Sequence, residues 1–390
     1  MKIAEKIKYY NGFDLDTDKY SIHTFEMSTR LTKWQYNYLL DILASYEHTK
    51  KIKKHENLSW DEGDAFVEST MYSIRKDTGI SRFRVYSIAA LNQYYLTLSC
   101  NARVLLQIKE LPFVCIVEPD DIKRIYDRLQ EVFDMMGISQ AVSVQELCFR
   151  RIDYCTNIRM ESVEVADIYM SLLAKGRALY SSERRVNMYA GEEDRIQHPK
   201  SLKWKGSSFE IEIYEKYDML EDQQVKYGYD AEEVAEARNR IRIEVRLDSR
   251  SIAQKKRRSG CLTSEEYMNM SCYQSAELIS KNLVQMYGCG DFVSYKKAVE
   301  IIRNSRMYQK TKDMLLDFIT NLAKPEATLD SAYEAYIKKP SGRRVLELHE
   351  IMKLFNELRI SPITIPDDVA GYQRFNNPVY YIDQRNANYN

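Results

Sequence analysis

The chain has 390 residues, which at roughly 150 residues per domain predicts two or three domains. Charged residues make up 29% and hydrophobic ones 44%, the balance of a soluble globular protein. The 57 basic residues match 57 acidic ones, which excludes binding a polyanion through bulk charge and leaves room only for a local basic patch.

The longest apolar run, residues 111–117, has seven residues and includes Pro112, against about 20 for a transmembrane helix. The opening residues do not read as a signal peptide, so a soluble, cytoplasmic protein with no membrane partner is expected. The seven cysteines form no CxxC pair, which fits a reduced compartment with cysteines buried as small hydrophobes. The five histidines show no zinc-ligand spacing. Phosphate-cradling glycine loops of the GxxxxGK and GxGxxG types are absent too. Thirty tyrosines offer many candidates for base stacking and for a nucleophile, and the count selects none of them.

In chain order, residues 20–27 alternate like a strand. Thr32 and Gln35 form a capping-box pattern ahead of a helix that carries Leu31, Trp34, Tyr38, Ile42 and Tyr46 near one face. Four short β-rich runs follow, 83–88, 93–99, 103–109 and 113–117, and predict an antiparallel meander. Asp120 and Asp121 open a helix with Ile125, Leu129, Val132 and Met136 on one face, stopped by Gly137. A second round has a strand over 144–155, a helix over 162–174, alternating strands over 209–216 and 240–247, and a short helix over 230–238 between those two. The expected fold class is α+β, an antiparallel sheet with helices, with a duplicated architecture as a suspicion. From residue 259 the texture becomes helical, with segments near 264–287, 291–305, 311–323, 328–338 and 342–359. The expected organisation is an α+β catalytic domain over 1–258, a helical domain over 259–365 and an extended tail over 366–390.

Strand periodicity sends alternate side chains to opposite faces. Glu210, Glu212, Tyr214 and Lys216 share the polar face of one strand, and Arg240, Arg242, Glu244 and Arg246 that of another. Asp153 shares a face with Arg151 and Cys155. If these strands are neighbours, one sheet face presents Asp153, Tyr214, Lys216 and Glu244 among arginines. Two carboxylates can hold a hard divalent cation, and cations can neutralise a phosphodiester under attack by a tyrosine hydroxyl. The plainer alternative is a water-exposed Arg–Glu ladder.

The ordered trio Arg151-Ile152-Asp153, Tyr214-Glu215-Lys216 and Arg242-Ile243-Glu244-Val245-Arg246-Leu247 resembles the replication initiators of filamentous phages and related rolling-circle plasmids, over roughly residues 145–255. The resemblance implies that one strand of origin DNA is nicked through a 5′-phosphotyrosine link, with help from Mg²⁺ or Mn²⁺. It casts Tyr214 as nucleophile, Lys216 as phosphate counter-charge and Asp153 and Glu244 as metal ligands. It implies origin DNA, duplex and single-stranded, as the partner, with a host helicase as a further candidate and the oligomeric state open. Two positions depart from the plasmid pattern: Glu215 and Asn157 stand where relatives often have Asp. The paired histidines of the wider nickase superfamily are missing.

Arg151, Arg242 and Arg246 are candidate DNA contacts, as are Arg250, Lys255, Lys256, Arg257 and Arg258, five basic residues within nine, which could release counterions from DNA. A solvated linker is the alternative for that cluster, and a solvated helix end for the one at residues 48–54. Trp60 and Trp204 are candidate stacking residues, with core packing as the alternative. Tyr217, Tyr267 and Tyr273 are alternative nucleophiles. The competing functions are a non-cleaving origin-DNA-binding protein and a nuclease that uses water.

Overall fold

The structure, a computed structural model, describes residues 21–47, 52–55, 60–62, 65–74, 78–107, 119–179, 182–188, 199–227, 229–338, 345–367, 369 and 372–379. The protein is of the α+β class. The first strand, β1 (Ser21–Leu31), leads into helix α1 (Lys33–Glu47). The expected capping box is formed: the Thr32 amide donates to Gln35 Oε1 (2.7 Å) and the Gln35 amide to Thr32 Oγ1 (3.2 Å). The buried face of α1 is set by Leu39 and Leu43, whereas Trp34 is exposed. Tyr38 and Tyr46 stay at the rim because their hydroxyls reach the backbone carbonyls of Gly137 and Met135.

Strands β2 (Ile52–His55), β3 (Trp60–Glu62), β4 (Ala65–Ile74), β5 (Ile80–Ile88) and β6 (Gln93–Asn101) follow; β5 and β6 contain the expected runs 83–88 and 93–99, whereas β2 to β4 are not among the expected strands. The strand expected over 103–109 is instead a short helix, α2 (Ala102–Leu105). The reason is Asn101, whose side chain accepts from the amides of Arg103 (3.1 Å) and Val104 (3.4 Å) and turns the chain into a helix. The run 113–117 lies outside the described residues. Helix α3 (Pro119–Met135) buries Ile125, Leu129 and Val132, with Met136 just beyond it. Gly137, at φ 72°, ends it in the left-handed region. Strand β7 (Cys148–Arg159) starts later than expected because Ser143 caps a tight turn over Val144–Glu146.

Helix α4 (Val163–Leu173), strands β8 (Glu183–Met188), β9 (Pro199–Lys205) and β10 (Phe209–Glu215), helices α5 (Lys216–Tyr227) and α6 (Ala231–Ala235) and strand β11 (Arg240–Asp248) complete the second round. Beyond it come α7 (Ser249–Ser259), α8 (Ser264–Tyr287), β12 (Phe292–Val293), α9 (Tyr295–Asn304), α10 (Gln309–Leu322), α11 (Leu329–Ile337), α12 (Leu348–Glu357) and β13 (Arg374–Phe375). Among the described residues no helix is long and apolar enough to cross a membrane.

The described chain divides into two compact units, which cut it differently from the boundaries drawn on sequence texture. The first comprises residues 21–156 with Val245–Ser275, the second Asn157–Glu244 with 276–379. In the first unit the strand order is β2-β4-β5-β6-β1-β7, with β3 beside β4, and each pair is antiparallel. In the second it is β11-β10-β9-β8. The units differ from a simple cut at residue 258 because β7, β11 and α8 each contribute residues to both.

The second unit has an apolar interior drawn from strands and C-terminal helices alike, including Trp204, Ile211, Ile213, Phe318 and Phe355, all without exposed surface. The described part of the C-terminal tail belongs to that interior. Phe375 pairs with Phe292 and packs against Tyr169, ring centroids 5.0 Å apart, while the Tyr169 hydroxyl donates to the Asn376 carbonyl (2.7 Å). Asn377 donates to the Gly288 and Gly290 carbonyls (3.1 and 3.0 Å). The tail is therefore extended at β13 but buried, and the Asn377 side chain is hydrogen-bonded as burial requires.

Candidate active site

The candidate residues fall into two clusters, one in each unit. The cluster in the second unit is built on β10 and the first half of β11. On β10 Ile211, Ile213 and Glu215 are buried and Tyr214 is half-buried, as alternation predicts. On β11 both faces are covered from Ile241 to Val245, so Arg242 has no exposed surface and Glu244 is 6% exposed. That removes the exposed Arg–Glu ladder as a description of this strand.

The Tyr214 hydroxyl donates to Glu244 Oε1 at 2.8 Å. The same carboxylate oxygen lies 3.5 Å from Arg242 Nη1, and Arg242 Nε donates to Asn157 Oδ1 at 2.8 Å. Burial holds the Tyr214 hydroxyl well above the ordinary phenol pKa of 10.0; the Glu244 charge adds to that effect and Arg242 opposes it. The phenol is thus kept protonated, with its proton aimed at a carboxylate. Asn157 supplies an acceptor to Arg242 without a second negative charge, so the departure from Asp at this position suits a single buried carboxylate facing a single buried guanidinium.

Lys216 is buried, 1% exposed, but it does not extend β10 as the alternation assumed: the strand ends at Glu215 and Lys216 opens α5. Tyr217, in the next position, donates to Glu221 (2.6 Å). Among the other alternative nucleophiles, Tyr267 is 1% exposed, and the Tyr273 side chain lies outside the described residues. Trp204 is a core residue without exposed surface; the Trp60 side chain lies outside the described residues.

The cluster in the first unit centres on Asp153 of β7, 1% exposed. Its Oδ1 accepts from Arg246 Nε (2.8 Å) and is ion-paired with Arg151 Nε (3.1 Å), and its Oδ2 accepts from the Thr24 hydroxyl. Arg151 Nη1 also reaches Glu26 Oε1 (2.8 Å). Thr24 and Glu26 face Asp153 and Arg151 directly in the β1–β7 register, the arrangement in which cross-strand pairs interact most strongly. Sequence reasoning missed both; their only signal was the polar side of the alternation at the start of β1.

The fit of these carboxylates to a divalent ion can be judged from their partners. Both oxygens of Asp153 are engaged, one by two guanidiniums. Glu244 has a phenol and a guanidinium on one oxygen. Cations already stand where an ion would be held, so this donor set as placed does not fit Mg²⁺ or Mn²⁺. Among the described residues no group of three or more His, Cys, Asp and Glu side chains is gathered to hold a metal.

The basic run lies on α7, in the first unit, and is a helix rather than a linker. Asp248 caps it by accepting from the Ser251 amide (2.9 Å), and Gly260, at φ 74°, terminates it. Arg250, Arg257 and Arg258 are exposed, while Lys255 and Lys256 are half-buried. Lys256, Arg257 and Arg258 occupy the last turn, where positive charge also suits the helix dipole. Of the other cluster, residues 48–51 lie outside the described residues and 52–55 form β2.

No family model matches the chain, and no curated protein matches it. Among solved structures, a rolling circle replication initiator protein from Geobacillus stearothermophilus aligns with 69% of this chain and 85% of its own, at 12% identity and a TM-score of 0.34. A likeness at that level assigns neither family nor activity.

Proposed function

We propose that this protein is a rolling-circle replication initiator that nicks and rejoins one strand of origin DNA through Tyr214. The observation that carries the reading is the 2.8 Å hydrogen bond from the Tyr214 hydroxyl to Glu244, beside the buried Arg242. The order of the three strand motifs supports it.

In this reaction Tyr214 Oη attacks the phosphorus of one phosphodiester and its proton passes to Glu244. The P–O3′ bond breaks, its electron pair stays on the 3′ oxygen, and that oxygen takes up a proton. The products are a 5′-phosphotyrosine link and a free 3′-OH. Rejoining is the reverse, with the 3′-OH attacking the phosphotyrosine. Neutralising Glu244 as the proton arrives leaves the Arg242 charge free to stabilise developing negative charge on the phenol oxygen, an effect strengthened by burial. Lys216, cast by the resemblance as the phosphate counter-charge, is 1% exposed, so we assign it an effect through its field and not through surface contact. Arg242, with no exposed surface, serves Glu244 and Asn157 rather than the strand. Arg151 and Arg246, about 30% and 28% exposed, and the α7 residues are the ones we assign to the DNA backbone. Mg²⁺ or Mn²⁺ is implied by the resemblance alone; Asp153 and Glu244 as placed do not fit it, and no step above passes through it.

The test is to incubate the full chain with labelled single-stranded DNA from its own replicon, with Mn²⁺ and with chelator, and to look for a denaturation-resistant adduct. Wild-type protein is expected to form it, and Tyr214→Phe, which removes only the hydroxyl, is expected to bind DNA and form none. Binding without an adduct in the wild type would instead establish the non-cleaving origin-binding protein, a reading that the raised pKa of a hydrogen-bonded Tyr214 favours. An undiminished adduct in Tyr214→Phe would move the nucleophile to another tyrosine.

A further inference from the structure

A second feature of the Asn157–Glu244 unit shares no lining residue with the Tyr214 cluster: a cavity of about 640 Å³ between the end of β7, the start of α4 and the turn from α6 into β11. We propose that this cavity binds a phosphate-bearing nucleotide unit, either a nucleotide of a DNA strand or a free nucleoside triphosphate.

Charge is the first argument. Among the described residues the lining includes three arginines, Arg159, Arg238 and Arg240, against one acidic residue, Glu236. Guanidiniums present planar, bidentate donors that match phosphate oxygens. Helix α4 adds to this. Its N-cap Ser162 and first helical residue Val163 both line the cavity, so the partial positive charge of an 11-residue helix opens onto it.

Volume is the second. The cavity falls within the range of about 300–1,000 Å³ usual for small-molecule sites, so it has room for sugar and base as well as phosphate.

Preorganisation is the third. The Asn239 side-chain amide donates to the Met160 carbonyl (2.5 Å) and the Met160 amide donates to the Asn239 carbonyl (2.7 Å). This reciprocal clamp ties the residue after Arg159 to the residue between Arg238 and Arg240, which holds all three arginines around one opening. Arg238 is further placed over the Tyr217 ring, 5.1 Å from its centroid, a cation–π contact that restrains its side chain. A site held in shape before the ligand arrives loses less entropy on binding.

The experiment compares wild-type full-length protein with Arg159→Gln/Arg238→Gln/Arg240→Gln. Two probes are used, a fluorescent ATP analogue and a labelled oligothymidylate, each titrated at several salt concentrations. A second variant, Arg238→Gln alone, guards against misfolding, because Arg238 is exposed. The triple variant is expected to lose at least about tenfold in affinity for one of the two probes, and the single variant to lose a smaller part of it. Loss confined to the ATP analogue assigns the cavity to a free nucleotide. Loss for oligothymidylate, with the slope of log K against log salt reduced by about 2 for three lost single-strand contacts, assigns it to the strand. Unchanged binding of both probes by a triple variant that melts like wild type overturns the proposal, as does a single variant identical to wild type when the triple variant is unfolded. Adduct formation through Tyr214, read in the same variants, separates failure of this site from failure of the nicking reading.

Discussion

Asp153 and Glu244 come from the same kind of sequence, a carboxylate two residues from an arginine on an alternating strand, and the fold gives them opposite surroundings. Asp153 is closed off: two guanidiniums and a threonine hydroxyl take both of its oxygens. Glu244 holds a buried guanidinium and the hydroxyl of a tyrosine. The first arrangement satisfies a buried charge and has no group to react. The second points a phenol proton at a carboxylate beside a compensating cation. A shared pattern of charge on strands therefore does not imply a shared task; what reaches each carboxylate from the neighbouring strand decides it.

The largest effect that would break this comparison is on chemistry. Glu244→Gln keeps the shape and a hydrogen-bonding group but removes the proton acceptor. Adduct formation, followed on denaturing gels with protein shown to be folded, is expected to slow by about 10²–10⁴-fold, the usual contribution of a positioned base, and the melting temperature is expected to fall because buried Arg242 loses its counter-charge. An unaltered rate would leave Glu244 structural and make the two clusters equivalent.

Next in size is the stability of the other cluster. Asp153→Ala strands two arginines that are about 30% and 28% exposed. Breaking a buried pair costs about 3–5 kcal/mol, and this exposure reduces the figure to about 2–3 kcal/mol, measurable by urea unfolding. The milder Asp153→Asn is expected to nick normally once folded. A folded Asp153→Asn protein without nicking activity would give Asp153 a direct role, such as holding a metal ion, and would erase the contrast.

A smaller change is expected from α7, which touches neither carboxylate in the contacts described. Replacing Lys255, Lys256, Arg257 and Arg258 with Gln should weaken duplex binding for all sequences by at least about tenfold. It should also flatten the salt dependence by up to about 3.6 in slope, four contacts at about 0.9 each. The rate of adduct formation on saturating single-stranded DNA should hold. An unchanged salt slope would leave those charges to the helix dipole alone.

The smallest effect sharpens the account of Tyr214. Its folded pKa stands above the ordinary phenol value, so its neutral form is fully stabilising below pH 10. Above pH 10 the unfolded chain loses the proton first and stability falls as pH rises. Wild type is expected to lose about 0.4 kcal/mol more than Tyr214→Phe between pH 10 and 10.5, because the unfolded phenol goes from about half to about three-quarters ionised over that interval while the folded one keeps its proton. Parallel pH–stability curves would mean that the hydroxyl is not held neutral by the fold.

Local chemistry made much of the chain legible. Thr32 with Gln35 marked a helix start because a capping side chain and its amide are three residues apart in any helix. Alternation placed Ile211 and Ile213 inside and Tyr214 on the other side of β10, since a strand repeats every two residues whatever it packs against. The same reasoning failed where one local signal competed with another: at Asn101, whose side chain capped a helix inside a β-rich run, and at Lys216, where the strand ended a residue early. The tertiary structure alone decided the rest. That Thr24 meets Asp153 and Glu26 meets Arg151 depends on register between strands about 130 residues apart in sequence. That Arg242 and Glu244 are buried on what alternation read as a polar face, and that Tyr214 aims its proton at Glu244, depends on which elements cover the sheet. Periodicity tells a side chain which way to point; only the packed neighbours determine whether it meets water, a cation or a phenol.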